Sequence, residues 1–174
     1  MSEDSKNILA LLEQPGALFD ELAFPAPHVL VLLGGPSPYF DFPSNWYRSA
    51  TRLLDRIVAD AGGSLAFVAS EQTPAWALTD SESRCPRWLI PWDAGQMDDY
   101  MAQYAAALAW ADAIVLTPDG VDQAKDACAT GKPVVLAGGA QARGGLFSFY
   151  RRLSQDGGIR PLEQLADILA EQQA

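Results

Sequence analysis

Residues 108–136 read LAWADAIVLTPDGVDQAKDACATGKPVVL. An alanine-rich helical end gives way at Ala113 to a short apolar run, AIVLT, that does not alternate with polar residues. Unbroken hydrophobicity over so few positions predicts a strand covered on both faces, as in a parallel sheet. Residues 120–130 then predict a helix that Gly131 ends, and residues 133–137, PVVLA, predict another buried strand.

The same alternation runs outward in both directions. Upstream, HVLVLL at residues 28–33 predicts a buried strand that ends in Gly34-Gly35. Ser44 is the expected N-cap of a helix over 45–61, which Gly62-Gly63 ends. Residues 65–69 and 87–90 predict two more strands, with Thr73-Pro74 as a helix start between them and a loop at 81–86. Residues 98–110 predict a helix, and 145–155 and 161–172 predict two closing ones. The first residues, 1–25, form a helical lead-in, and 26–174 form one domain. Strand and helix alternate with short connections. The predicted fold class is therefore α/β, a Rossmann-like three-layer fold whose parallel sheet has about five strands in the order 3-2-1-4-5.

Composition removes whole classes of function. The 174 residues are 49% hydrophobic and 20% charged, enough for a buried core. A formal charge of −10 speaks against nucleic acid as a partner and against docking on an anionic membrane surface. One histidine, His28, and two cysteines, Cys85 and Cys128, supply neither a zinc site nor a Ser-His-Asp triad. They cannot build a disulfide framework either. No metal and no cofactor is expected. No signal peptide and no membrane insertion is read from the sequence, so the expected location is the cytoplasm.

Three loops at predicted strand ends are rich in small polar residues: Gly34 to Ser37, Ser70 to Pro74, and Thr117 to Val121. The topology opens all three on one edge of the sheet, where ligands of such folds bind. Glycines admit a ligand to the backbone, and helix N-termini offer free N–H groups to an anion. The loops therefore read either as a phosphate or nucleotide cradle or as ordinary strand-to-helix turns. No G-x-G-x-x-G follows the first strand, so no dinucleotide is expected. Asp119 is placed to cap the following helix. Asp126 falls two turns later on the same side, where a carboxylate can meet ribose hydroxyls or simply face solvent.

Arg48, Arg52 and Arg56 form a stripe at helical spacing, with Arg56 expected to pair with Asp60. Arg143 leaves a strand end and is the better candidate ligand for an anion. Tyr39, Phe40, Phe42, Trp46 and Tyr47 cluster in and after the first loop, either as core packing or as a partner-binding patch.

The quoted stretch resembles the mitochondrial-fission ELM family of glycosyltransferase-like proteins, whose architecture is GT-B-like with two Rossmann-like halves. The resemblance rests on Trp110-Ala111-Asp112, Thr117-Pro118-Asp119, Asp126-Ala127 and Thr130 to Val134. Residues 27–37, PHVLVLLGGPS, and Ser70 to Pro74 resemble further family motifs. The match spans about residues 26–161 and only the family's C-terminal half. That resemblance implies nucleotide-binding roles for Gly34, Gly35, Ser37, Ser70, Thr73, Asp119, Gly120, Val121 and Asp126.

The departures bear on activity. Gly120 stands where the family has serine, Asp126 where it usually has glutamate, and Glu71-Gln72 where it has two arginines. The resemblance implies a nucleotide or nucleotide-sugar-binding half-domain of a split glycosyltransferase. The alternative is a degenerate, non-catalytic interaction module that keeps the fold and self-associates or binds a protein partner. Independent enzyme activity is not expected, because the acceptor half is missing. The expected partners are a nucleoside-diphosphate sugar and either a second copy of the chain or a separate protein.

Overall fold

A computed structural model describes residues 17–79 and 83–174. The apolar runs form β1 (His28–Leu32), β2 (Ser64–Val68), β3 (Arg87–Ile90), β4 (Ala113–Leu116) and β5 (Val134–Leu136). A sixth strand, β6 (Arg160–Pro161), extends the sheet beyond the expected five. Every pairing is parallel, and the strand order is β3-β2-β1-β4-β5-β6. Burial follows the hydrophobic runs: all residues of β2, β4 and β5 are buried, whereas edge strand β3 exposes Arg87 and Leu89. Side chains such as Leu30, Leu32, Ile114 and Leu116 are fully buried, each contributing about 1.5–3 kcal/mol.

The α-helices of the described residues are α1 (Ala17–Leu22), α2 (Ser44–Asp60), α3 (Met97–Trp110), α4 (Val121–Ala129), α5 (Gly144–Gln155) and α6 (Leu165–Gln173). Right-handed crossovers place α2 on one face of the sheet, where α6 packs on it, and α3 on the other, where α1 packs on it. Ala105, Ala106 and Ala107 of α3 are buried, and their small side chains let the helix lie close to β1, β2 and β3. The lead-in expected over 1–25 lies outside the described residues up to position 16, and α1 follows it. Of the loop expected at 81–86, residues 83–86 are described and irregular.

Several local expectations are corrected. Ser44 does not cap α2: Pro43 holds the N-cap position, and no side chain bonds the helix start. Thr73-Pro74 opens no α-helix but a single 3-10 turn, Ala75–Leu78. The helix expected from Pro161 begins at Leu165, because Arg160 and Pro161 pair with β5 and a 3-10 turn follows. No ion pair joins Arg56 to Asp60; among the described residues the ion pairs are His28–Asp112, Lys125–Asp122 and Arg143–Asp41.

Candidate functional site

Strand order reverses between β1 and β4, and the chains leaving them diverge. That divergence opens the crevice in which doubly wound folds bind ligands. The three expected loops do meet there, and hydrogen bonds weld them together. Thr117 is the hub, a buried residue whose hydroxyl accepts the Gly34 N–H at 2.8 Å and donates to Asp119 Oδ1 at 2.6 Å. Asp119 Oδ2 accepts the Gly35 N–H at 2.6 Å. Thr73 ties in the third loop: its hydroxyl donates to the Gly34 carbonyl at 2.9 Å and accepts the Ser70 N–H at 2.9 Å.

Asp119 therefore does not cap α4, whose N-cap is Gly120. The carboxylate is drawn instead into the glycine loop, because two donors converge there. An added Cβ at Gly34 would lie 1.3 Å from Asp119 Oδ2, and one at Gly35 would lie 1.9 Å from the Gln72 carbonyl oxygen. These glycines are required by close packing of the protein on itself. Burial pushes the Asp119 pKa upward, against the hydrogen bonds from Thr117 and Gly35 that favour the charged form.

Above this network lies a cleft of about 680 Å³. Ser37, Ser70, Asp119, Gly120 and Val121 line it, whereas Gly34, Gly35 and Thr73 form the network beneath. Asp126 does not line it and accepts a hydrogen bond from the Tyr104 hydroxyl at 3.1 Å, between α3 and α4. The starts of α4 and α5 both reach the cleft through Val121, Asp122, Gly145 and Leu146. Neither helix carries a side-chain cap, so first-turn N–H groups of both remain available. The Tyr150 hydroxyl, in the middle of α5, donates to the Gly120 carbonyl at 3.1 Å and ties α5 to the start of α4.

Among the described residues no arginine or lysine lines this cleft. Arg143, the expected anion ligand, places its fork on Asp41 at 2.7 and 2.8 Å and holds the loop after β1 against α5. Phe40, Phe42 and Tyr47 are buried, as core packing requires, while Tyr39 is 51% exposed and borders the cleft.

Two motif residues act at the other end of the sheet. The Asp112 carboxylate accepts the His28 N–H at 2.7 Å, and Trp110 stacks on the His28 ring at 4.3 Å. Lys132 donates to the Leu108 and Ala109 carbonyls, both at 2.6 Å, and so caps the end of α3. Burial lowers its pKa.

A family model described as mitochondrial fission ELM1 matches residues 8–173. The chain belongs to the mitochondrial fission ELM1 family. Mitochondrial fission protein ELM1 of Arabidopsis thaliana is 29% identical over 163 residues, covering 91% of this chain and 37% of the plant protein. The chain thus spans little more than a third of that relative's length. No solved structure matches it. Among the described residues no cluster of three or more His, Cys, Asp or Glu side chains can hold a metal ion. Nor is any described helix long and apolar enough to cross a membrane.

Proposed function

We propose that this member of the ELM1 family binds a nucleotide or nucleotide-sugar in the cleft between α4 and α5, as one half of a split glycosyltransferase-like protein. The observation that carries this reading is the meeting of two uncapped helix N-termini at the strand-order reversal. Each offers free N–H groups and a partial positive charge to a diphosphate. The diphosphate sits on these helix starts and not on Gly34-Gly35, whose N–H groups are already taken by Thr117 and Asp119. Exposed Tyr39 gives a flat surface for a base. On this reading a second copy of the chain or a separate protein supplies the acceptor side.

A second reading has its own support. Asp119 fills the glycine loop, Asp122 meets only Lys125, at 4.0 Å, and among the described residues no arginine or lysine lines the cleft. A vestigial pocket on an interaction module has these features, so the charge must be tested directly. Calorimetry with UDP and UDP-glucose, with and without magnesium, separates the readings. The expected Kd is about 10–100 μM with magnesium, equivalent to about 5.5–7 kcal/mol. Gly145→Glu places a carboxylate at the start of α5, where a Cβ meets open space, and is expected to weaken binding about tenfold or more. Glu71→Arg with Gln72→Arg is expected to tighten it. No heat from either protein at millimolar nucleotide, or binding that ignores Gly145→Glu, overturns the nucleotide reading and leaves the interaction module.

A further inference from the structure

The crossovers of this sheet are unequal. β1 connects to β2 through α2, and β3 to β4 through α3, but between β2 and β3 the described residues form only the 3-10 turn Ala75–Leu78. Among the described residues no α-helix covers β2 and β3 beside α2. A cavity of about 730 Å³ opens there, floored by Leu65, Phe67 and Leu89. Arg52 and Arg56 of α2 stand on one wall, and Arg84 and Arg87 come from β3 and the segment before it. These are four of the chain's 12 basic residues, in a protein whose net charge is −10. Among the described residues, Arg52, Arg56 and Arg84 make no ion pair. Among the described residues Asp55 is the one carboxylate in the lining. It is already engaged, accepting hydrogen bonds from the Ser83 hydroxyl and, at 3.0 Å, from the Arg84 N–H. It thereby ties the arginine-bearing segment to α2.

We propose that this cavity is a second binding site, for a small organic phosphate with an apolar body. Guanidinium groups approaching from two elements suit a tetrahedral phosphate, whose oxygens accept from several directions, better than a flat carboxylate. The apolar floor takes the organic part. The site is independent of the cleft reading. The contrast is electrostatic: among the described lining residues there are four arginines and one engaged aspartate here, against two aspartates and no basic residue in the cleft. Phosphate charge is favoured at this cavity by its side chains, whereas the cleft has only helix termini to offer.

The test uses 1-naphthyl phosphate, a fluorescent dianion with an apolar body, titrated into the full chain. One molecule is expected to bind per chain, with affinity falling as salt is raised from about 0.05 to 0.5 M. Arg52→Gln with Arg56→Gln, and separately Arg84→Gln, are each expected to weaken binding about tenfold or more. Two changes are expected to leave it intact: Arg48→Gln, which removes a charge from α2 outside the cavity lining, and Gly145→Glu in the cleft. 1-Naphthol, which lacks the phosphate, is expected to bind at least about tenfold more weakly. Unchanged melting temperatures establish that the variants fold. No binding at about 10 mM probe, or binding undiminished in both arginine variants, overturns the proposal. Loss of binding in Gly145→Glu with the arginine variants unaffected moves the ligand to the cleft and overturns it too.

Discussion

Asp119 occupies the place in the glycine loop that an external anion would take, and removing its carboxylate should create a vacancy that a small anion can fill. Asp119→Ala deletes two hydrogen bonds to a charged acceptor, from the Gly35 N–H and the Thr117 hydroxyl, each 2.6 Å long. Bonds of that kind contribute about 1.5–3 kcal/mol each. The variant also relieves a partly desolvated charge, which offsets part of the loss. The net destabilisation is expected to be about 1–3 kcal/mol, and at about 2–4 °C per kcal/mol for a chain of this size the melting temperature should fall by about 2–12 °C. Formate matches the deleted carboxylate. If it binds the vacancy with a Kd of about 10 mM, then 100 mM restores about 1.4 kcal/mol, or about 3–6 °C. Thermal melts of the original chain, Asp119→Ala and Asp119→Asn against formate concentration, with chloride at matched ionic strength, provide the assay. Only Asp119→Ala should gain specifically from formate, since asparagine still fills the position. An Asp119→Ala curve parallel to the other two would refute the idea that this loop is an internally occupied anion cradle. The pH dependence carries a second check. The Asp119 pKa is raised by burial, so its contribution to stability is fully present below its unfolded value and is lost as pH rises through the folded one. That loss should be absent from the alanine variant.

Gly35→Ala forces a Cβ to 1.9 Å from the Gln72 carbonyl oxygen and should destabilise by about 1–3 kcal/mol or more, whereas Gly145→Ala, on α5 with open space around its Cβ, should be neutral or stabilise by up to about 1 kcal/mol; denaturant melts of the pair distinguish a packing glycine from a permissive one, and equal effects would refute the distinction. Alkaline stability should decline in a defined window. Burial raises Cys85 to about 11 from an ordinary 9.0 and Tyr100 to about 12 from 10.0, so stability from both is complete below about pH 9 and is lost as pH rises through their folded values. Ultraviolet titration of tyrosinate alongside the melting temperature follows this, and a stability profile flat to pH 12 would count against it. Tyr100→Phe removes a 2.6 Å hydrogen bond to the Ala69 carbonyl and should destabilise by about 1–2 kcal/mol, read by urea denaturation; no loss would refute that estimate.

What the sequence determined by itself was whatever depends on runs of neighbouring residues. β1, β2, β4 and β5 were legible because a strand buried on both faces must be apolar at successive positions. The meeting of the loops after β1, β2 and β4 on one edge followed from parallel strands joined by right-handed crossovers. Tertiary structure decided the rest. β6 is an exposed Arg160–Pro161 pair, a strand only because β5 offers it an edge. Thr73 and Asp119 looked like helix caps because threonine and aspartate do cap helices. Their partners, Gly34 and Gly35, lie far along the chain and come within reach only when β1 sits between β2 and β4. Lys132 looked like part of a family signature, and its role at the carboxyl end of α3 depends on where β5 begins. The arginines of α2 read as a stripe at helical spacing. Arg52 and Arg56 became the wall of a cavity because among the described residues the neighbouring crossover has no α-helix to cover the sheet. A hydrogen bond or a cavity belongs to groups brought together in space, and spacing along the chain records only those that are also near in sequence.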